Sequence, residues 1–496
     1  MCIRDSISDV KTNSLKTNTL LNMFNTMTGI IFPIVTFPYA ARILMPEGIG
    51  IVNFQLSIIT NIVLLTSLGI PMYAVREVAR HRDDIALRNK TTVEILLLSV
   101  ILCLMGYVLV WALGAFVPQI NQNLGIFYVL SLSIVFTAIV VNWFYQAIED
   151  FMFMTVRTTI FRFWVVFGLF LFVKTPDDLL IYALVIVGTT VGNNIINFIH
   201  LRKFIPLKSI PWRELRVWRH LKPSLHIFVF NLITSIYLNL NVMMLGFMKG
   251  DAAVGYYTAG NRLSQIVLSV VASISTVMLP RCANLFETGR MDEFAAICRK
   301  TLRLTVALSL PCMIGLLSVS EGIVAIFCGP DFTPAVSVLC WTAPIILFIS
   351  LTNMFGLQVL YPQGKENIVI WSVAGGALFN FLINFALIPL LAQDGAAIAT
   401  FAAELVVLII QITWGRRFIP FPIIERVHLH YVAAGILMAI ALWAVGGCMP
   451  NVWMQLLLSI ATGSIVYVGA LAFMHDALLR EMGQYALGLV KRKKKP

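Results

Sequence analysis

Apolar runs of about 20 residues recur from Thr17 to Met474, broken by short clusters of charged residues, Gly and Pro. At about 1.5 Å per residue, each run is long enough to cross a hydrocarbon layer of about 30 Å as a helix. Stretches such as Ile95 to Val110 are apolar on every face, which excludes a transmembrane β-barrel with its alternating strands. With the punctuation as boundaries, about 14 spans are predicted, near 17–43, 50–75, 91–117, 124–148, 154–174, 178–200, 223–248, 253–280, 302–328, 334–360, 366–391, 395–415, 429–449 and 453–474. The pattern therefore predicts an all-α, polytopic membrane protein, and an even span count puts both termini on one side.

Composition agrees. Of 496 residues, 59% are apolar and 12% charged, with a mean hydropathy of +0.87, an apolar excess that a water-soluble domain could not bury. No short apolar stretch with a basic start and a small-residue cleavage site opens the chain, so the first span is expected to be a retained helix. Residues 1–13 carry no pattern. Of the 36 Lys and Arg, 32 fall on the side of the termini; the other side keeps only Arg42, Lys174, Lys249 and Arg262. Short cytoplasmic loops retain basic residues, so both termini are expected in the cytoplasm. The net charge of +12 then reports orientation, and no nucleic-acid partner is expected. The loops on the opposite side, such as Met45 to Ile49 and Ala392 to Gly395, are too short for a catalytic domain. This counts against membrane polymerases and ligases that act through long loops.

The eight cysteines include no C-x-x-C pair and read as packing residues; His428 and His430 would point to different faces of a helix, so no metal is expected. No phosphate loop and no soluble nucleotide-binding segment is present, so no cofactor or nucleotide partner is expected. Transport would draw on an ion gradient, the membrane potential or consumption of the product.

Two short strings hint at a repeat. Ile49-Gly50-Ile51-Val52-Asn53 leads into span 2 and Val254-Gly255-Tyr256-Tyr257-Thr258 leads into span 8, an offset of 205 residues. Phe144-Tyr145-Gln146 and Gly356-Leu357-Gln358 match at an offset of 212. Such matches also arise by chance in apolar sequence. Taken as real, they divide the chain into two six-helix bundles, 14–200 and 223–415, related by a pseudo-two-fold axis along the membrane normal, with extra helices over 416–474 and a basic tail, 475–496. Between the bundles lies 201–222, the most basic link. Trp212, Leu215, Trp218 and Leu221 recur there every third residue beside Arg213, Arg216 and Arg219. It reads as an amphipathic helix on the inner leaflet, or as an irregular basic linker.

Charge inside a span is expensive and marks candidate function. Arg42 ends span 1, Arg262 lies inside span 8, and Arg157 and Arg162 lie in span 5. Facing a cavity between the bundles, they would suit an anionic, phosphorylated ligand, because guanidinium forks pair with phosphate. Arg42 and Arg157 could instead snorkel to headgroups. Glu404 and Glu321 are candidates for proton or sodium coupling, or acids paired with a buried base. Pro33 and Pro38 predict a bend in span 1, next to Arg42, where a gate could sit. Asn231, Asn239, Asn241, Asn380 and Asn384 read as interhelical hydrogen-bonding groups.

The string Phe37-Pro38-Tyr39-Ala40-Ala41-Arg42-Ile43-Leu44-Met45-Pro46-Glu47-Gly48-Ile49-Gly50 resembles the first-helix signature of the polysaccharide flippases, the Wzx-type O-antigen and capsule transporters of the multidrug/oligosaccharidyl-lipid/polysaccharide exporter (MOP) superfamily, which share a MATE-like fold. Gly69-Ile70-Pro71, Arg76-Glu77, Trp143 to Glu149, Leu221 to Ser224, Val242 to Gly246 and Val254 to Tyr257 follow in order, from about Ser14 to about Met474. Departures are Met45, where such proteins often have Gly, and Asn241, where an Asp is common.

The resemblance implies a flippase that moves undecaprenyl-diphosphate-linked oligosaccharide repeat units from the inner to the outer leaflet of a bacterial cytoplasmic membrane by alternating access. It places Arg42, Arg162 and Arg262, with Arg157, as diphosphate or sugar contacts, and Gln146 and Glu149 near the cytoplasmic mouth. Implied partners are the lipid-linked oligosaccharide, membrane lipids, and polysaccharide polymerase and chain-length machinery. The competing readings are a MATE-like cation-coupled drug exporter, which would want an acid-rich cavity, a lipid-linked peptidoglycan precursor flippase, and, more remotely, a membrane glycosyltransferase or polymerase.

Overall fold

The computed structural model describes residues 15–206, 210–446 and 452–481; the expected N-terminal segment 1–13, most of the basic tail 475–496 and the side chain of Asn231 lie outside the described residues. Within them every regular element is helical. Eleven helices are long and apolar enough to cross a membrane. The chain divides into two compact units, Met1–Gly255 and Tyr256–Pro496.

The first unit opens with α1, Leu15–Ser67, whose helical dihedrals are lost at Met45 (φ 60°, ψ 174°). That residue falls in the turn expected between spans 1 and 2, and Pro46 starts the new helical run, where its missing N–H costs nothing. Pro33 and Pro38 both lie inside the helix before this break. The expected second span, 50–75, is itself interrupted: Leu68 and Gly69 take positive φ (40° and 71°), and α2, Ile70–Arg80, follows with Pro71 in its first turn. A Cβ on Gly69 would lie 2.8 Å from Ser224 O and Phe228 N, so the backbone of a later helix occupies the space.

Next come α3 (Ile85–Phe116), capped by Asp84 accepting from Leu87 N–H at 3.0 Å, then α4 (Pro118–Asn121), α5 (Leu124–Ala138) and α6 (Asn142–Ala147). The expected span 124–148 is thus two helices, with a break at 139–141. α7 (Phe151–Phe172), α8 (Leu179–Leu201) and α9 (Leu221–Met248) complete the unit, and α10 (Asp251–Glu287) leads out of it.

The basic link departs from the amphipathic helix that its spacing suggested. It forms two single turns, Trp212–Glu214 and Val217–His220, with Leu215 extended between them. The cause is Glu94 of α3, whose carboxylate accepts the Arg216 backbone N–H at 2.7 Å and so removes that donor from any helical ladder. Leu215, Val217 and Leu221 pack on the core built around Tyr73, Phe144 and Tyr145, while Trp212 and Trp218 face outward.

Two glycines permit one close helix crossing. A Cβ on Gly50 would lie 1.7 Å from Asp251 O, and one on Gly255 would lie 1.9 Å from Pro46 O. Both pairs, 46 with 251 and 50 with 255, are 205 residues apart, the offset of the repeated strings. Gly50→Leu or Gly255→Leu must push two backbones apart, which costs about 3 kcal/mol or more. Either variant should lose monodisperse protein on size exclusion in detergent, whereas Gly469→Ala, on the helix Val452–Phe473, where nothing lies within 4 Å and the backbone is helical, should retain it.

In the second unit, α10 is followed by α11 (Met291–Ser318), α12 (Ser320–Phe327), α13 (Ala335–Thr342) and α14 (Ile345–Asn353). A π-helical stretch, Met354–Leu360, precedes α15, Glu366–Gly415. α15 is broken at Ala392 (φ 48°, ψ −124°), inside the turn expected between spans 11 and 12. Its two arms pack together: Gly376 lies against Val407 and Ala403, and Gln411 Nε2 donates to Ser372 Oγ at 3.1 Å. α16 (Arg426–Gly446) and α17 (Val452–Phe473) pack on α11 through Leu310, Tyr431, Met438 and Tyr467, whose hydroxyl donates to Ala307 O at 2.9 Å.

Ahead of α16, Glu425 takes a bidentate pair from Arg299 (2.7 and 2.9 Å) and a second from Arg303, tying the entry of α16 to α11. These guanidinium groups hold the Glu425 carboxyl down at about 2. A carboxylate with a lowered folded-state pKa stabilises above its unfolded value and loses that contribution as pH falls through the folded value. With Arg299 45% exposed, solvent screening leaves on the order of 1–2 kcal/mol. Wild-type Tm should therefore fall between about pH 4.5 and pH 2 more steeply than that of Glu425→Gln, measured by dye-reported melting in detergent.

Candidate functional site

The embedded arginines of the first unit do not form one cluster, because their helices aim them apart. Arg157 and Arg162 share α7 but face different neighbours. Arg157 is 5% exposed. Its Nε donates to Asn193 Oδ1 of α8 at 2.9 Å, and one terminal nitrogen donates to Asn142 Oδ1 at 2.9 Å, at the start of α6. Asn197 Nδ2 donates to the same Asn142 oxygen at 2.8 Å, and Tyr145 Oη donates to Asn197 O at 2.7 Å. Phe153 stacks beneath the guanidinium, 5.3 Å from the ring centre. The group thus stitches α7 and α8 to the second half of the broken helix pair, beside the interruption at 139–141, while Arg157 Nη1 is buried without a hydrogen-bond partner.

Arg162 looks the other way. It donates to Asn25 O at 2.6 Å and to the Thr28 hydroxyl, both on α1, and its guanidinium sits 3.1 Å from where a Gly29 Cβ would be. Its recorded hydrogen-bond acceptors are neutral, and the side chain is only half-buried. Arg42 lies 17 residues further along α1, about 25 Å at the helical rise. It is exposed, one turn past Tyr39, whose hydroxyl donates to Val173 O at 2.9 Å. Residues 162 and 42 therefore mark two levels along one helix. In the second unit Arg262 sits half-buried on α10, five residues from Tyr257, whose hydroxyl meets Thr400 Oγ1 of α15 at 3.1 Å, and two residues from Ser264, bonded to Thr342 at 2.7 Å.

Gln146 is exposed on α6, and Glu149, at a positive φ of 62°, pairs with Arg82 at 3.0 Å. Glu404 is buried on α15, on the arm that packs against the one carrying Asn380 and Asn384. Asn384 Nδ2 donates to Asn380 Oδ1 at 2.9 Å, one turn apart. Glu321 is exposed in the first turn of α12 and lines a cavity of about 860 Å³ with Ser318, Ser320, Trp443 and Gln455. Pro33 and Pro38 lie on α1 between the levels of Arg162 and Arg42.

Sequence reasoning missed Glu94, buried in α3, where it takes the Arg219 guanidinium at 2.7 Å and His220 Nε2 at 2.9 Å besides the Arg216 amide. Tyr73 Oη meets the other ring nitrogen of His220 at 2.8 Å. Burial holds the imidazole below its ordinary value against the opposite pull of Glu94. It also missed Asn142, Asn193 and Asn197. The signal was present: three asparagines within five residues of an apolar span, 193, 194 and 197, opposite an embedded arginine.

Among the described residues, long apolar helices, several of them broken, define a multi-pass membrane protein. The structure shares the fold of a lipid II flippase MurJ in its inward closed conformation (TM-score 0.71, 14% identity, covering 93% of this chain and 99% of that one). It also shares that of an inward-facing multidrug resistance MATE family transporter of the MOP superfamily (TM-score 0.63, 13% identity, covering 81% and 98%). The model of the family "Polysaccharide biosynthesis protein" matches residues 15–286, and the MatE model matches 227–386. The chain belongs to the polysaccharide biosynthesis protein family. It is similar to the "Putative O-antigen transporter" of Escherichia coli (strain K12), 23% identical over 410 residues, covering 82% of this chain and 97% of that protein.

Arg157→Lys replaces a planar fork by a point charge and cannot serve both amides at once, at a cost of about 2–3 kcal/mol. In a double-mutant cycle with Asn142→Ala, Tm losses should be clearly less than additive, since both variants break one network; additive losses would dismiss the clamp.

Proposed function

We propose that the chain is a flippase that moves an undecaprenyl-diphosphate-linked oligosaccharide repeat unit across the bacterial cytoplasmic membrane for O-antigen, capsule or exopolysaccharide synthesis, by alternating access. Both termini then lie in the cytoplasm, as the 32 basic residues on their side suggest. The observation that carries this reading is the similarity, over 82% of this chain, to a protein named "Putative O-antigen transporter", together with membership of a family of polysaccharide biosynthesis proteins. A carrier of this kind makes and breaks no bond, so the chain is read as a transporter and not an enzyme.

Physical chemistry supplies the roles. A diphosphate needs cations along a hydrated path, and α1 has Arg42 on it and Arg162 against it at two levels. Arg162 now spends its donors on a backbone carbonyl and a hydroxyl, both of which a diphosphate oxygen can replace with a charge-assisted bond. Arg262, on α10, is read as a further diphosphate or sugar contact. Arg157, committed to two amides, positions α6 to α8. Gln146 and Glu149 belong to the mouth, with Arg82 setting the Glu149 carboxylate. Glu404, buried on α15, is read as the better candidate of the two acids for coupling; Glu321 is exposed and lines a cavity. Polymerase and chain-length proteins would take the product on the far side.

Deleting the gene in a strain without a paralogue should abolish the surface polymer and leave lipid-linked repeat units on the cytoplasmic face. An unchanged polymer would overturn the reading. Arg162→Ala and Arg262→Ala should each lower complementation at least about tenfold at equal membrane level, one charge-assisted contact being worth about 1.5–3 kcal/mol. Arg→Lys at the same positions should restore part of it.

A further inference from the structure

The link before α9 carries a second chemistry that the transport reading leaves unused. Glu94, its side chain fully buried, pins this segment through the Arg216 amide, Arg219 and His220, while Leu215, Val217 and Leu221 fill the core beneath. Once anchored, the segment turns its other side outward. Trp212 is 56% and Trp218 63% exposed, with Arg213, Arg216, Arg219, Lys222 and Leu225 exposed around them. Its one acid, Glu214, is engaged by Lys90 at 3.3 Å. Trp218 stands three residues before α9 begins at Leu221, and tryptophan rings favour the headgroup layer at the end of a span.

We propose that this outward face, Trp212 to Leu225, is a binding site for anionic phospholipid headgroups of the inner leaflet, held in place by Glu94. Two amphipathic rings supply the interfacial anchor and the guanidinium groups supply bidentate partners for phosphate. The face is rigid because the inward half is packed and hydrogen-bonded, so its charges are presented without ordering a loose linker. Glu94 acts as a positioning residue and touches no lipid.

The test uses the full chain in nanodiscs of phosphatidylcholine containing a photoactivatable phosphatidylglycerol, with adducts mapped by mass spectrometry. Peptides from 210–225 should be labelled well above the yield from the same photoprobe on phosphatidylcholine. Arg213→Gln with Arg216→Gln should cut that yield about fivefold for each charge removed, while labelling at exposed Phe163 and Trp164 on α7 stays constant as the folding control. Glu94→Gln should reduce labelling at 210–225 with all the basic residues intact. Equal labelling by the two headgroups, or an unaltered yield in the double variant, overturns the proposal. So does displacement of phosphatidylglycerol by stoichiometric undecaprenyl diphosphate, which would assign the face to the transported lipid. Absence of labelling by either headgroup would assign it to a protein partner and equally overturn it.

Discussion

A backbone amide inside hydrocarbon has no water to bond, and this constraint governs the structure more than any side chain. It forces the apolar runs into helices and confines each interruption to a place where other groups can hold the loosened chain. Met45 and Ala392 break α1 and α15 at the turns between successive spans, where a few residues suffice. The break between α5 and α6 is different. Val140 N–H still bonds Thr137 O, and Asn142 at the new helix start accepts from both Arg157 and Asn197. The break is thus closed by backbone bonds, and the polar cluster beside it ties the new helix to α7 and α8, leaving Arg157 Nη1 buried without a hydrogen-bond partner.

Embedded charge follows the same logic with opposite outcomes. Arg157 and Glu94 are buried and held by groups that surround them: neutral amides in one case, an amide, an imidazole and a guanidinium in the other. Removing one partner of such a set leaves an uncompensated charge, so these groups fix geometry. Their place in the chain matches that use. Arg157 binds the helices that follow the broken pair, and Glu94 binds the link that follows α8.

How much of this was legible in the sequence depends on what kind of interaction sets each feature. Helix positions were legible because twenty-residue apolar runs act locally, and the breaks at 45 and 392 fell within the expected turns for the same reason. The interruptions at 68–69 and 139–141 were not, since they depend on α9 pressing on Gly69 and on side chains from α7 and α8 meeting Asn142. The link misled in a specific way: threefold spacing of Trp and Leu suggested one helical stripe, yet a distant carboxylate captured the Arg216 amide and sent the leucines inward and the tryptophans outward. Arg42, Arg157, Arg162 and Arg262 were legible as embedded cations. Which of them is spent on structure was not, because that is decided by partners 15 to 137 residues away.

The distinction between Arg157 and Arg162 also bears on how a carrier can release its cargo. A group that binds tightly in every state holds a ligand without letting it go; a useful contact needs an alternative partner of intermediate strength. Under the proposed function Arg162 has such an alternative in the Asn25 carbonyl and the Thr28 hydroxyl, neutral acceptors on α1 that a diphosphate would outcompete and that would recapture the guanidinium once the diphosphate left. Gly29, leaving room 3.1 Å from the guanidinium, keeps the side chain close to both. Since α1 also carries Arg42 and the Gly50 crossing, movement of that one helix shifts the Arg162 acceptors and the second cationic level together. Under that reading, a ligand that exchanges partners along α1 biases the position of this one helix.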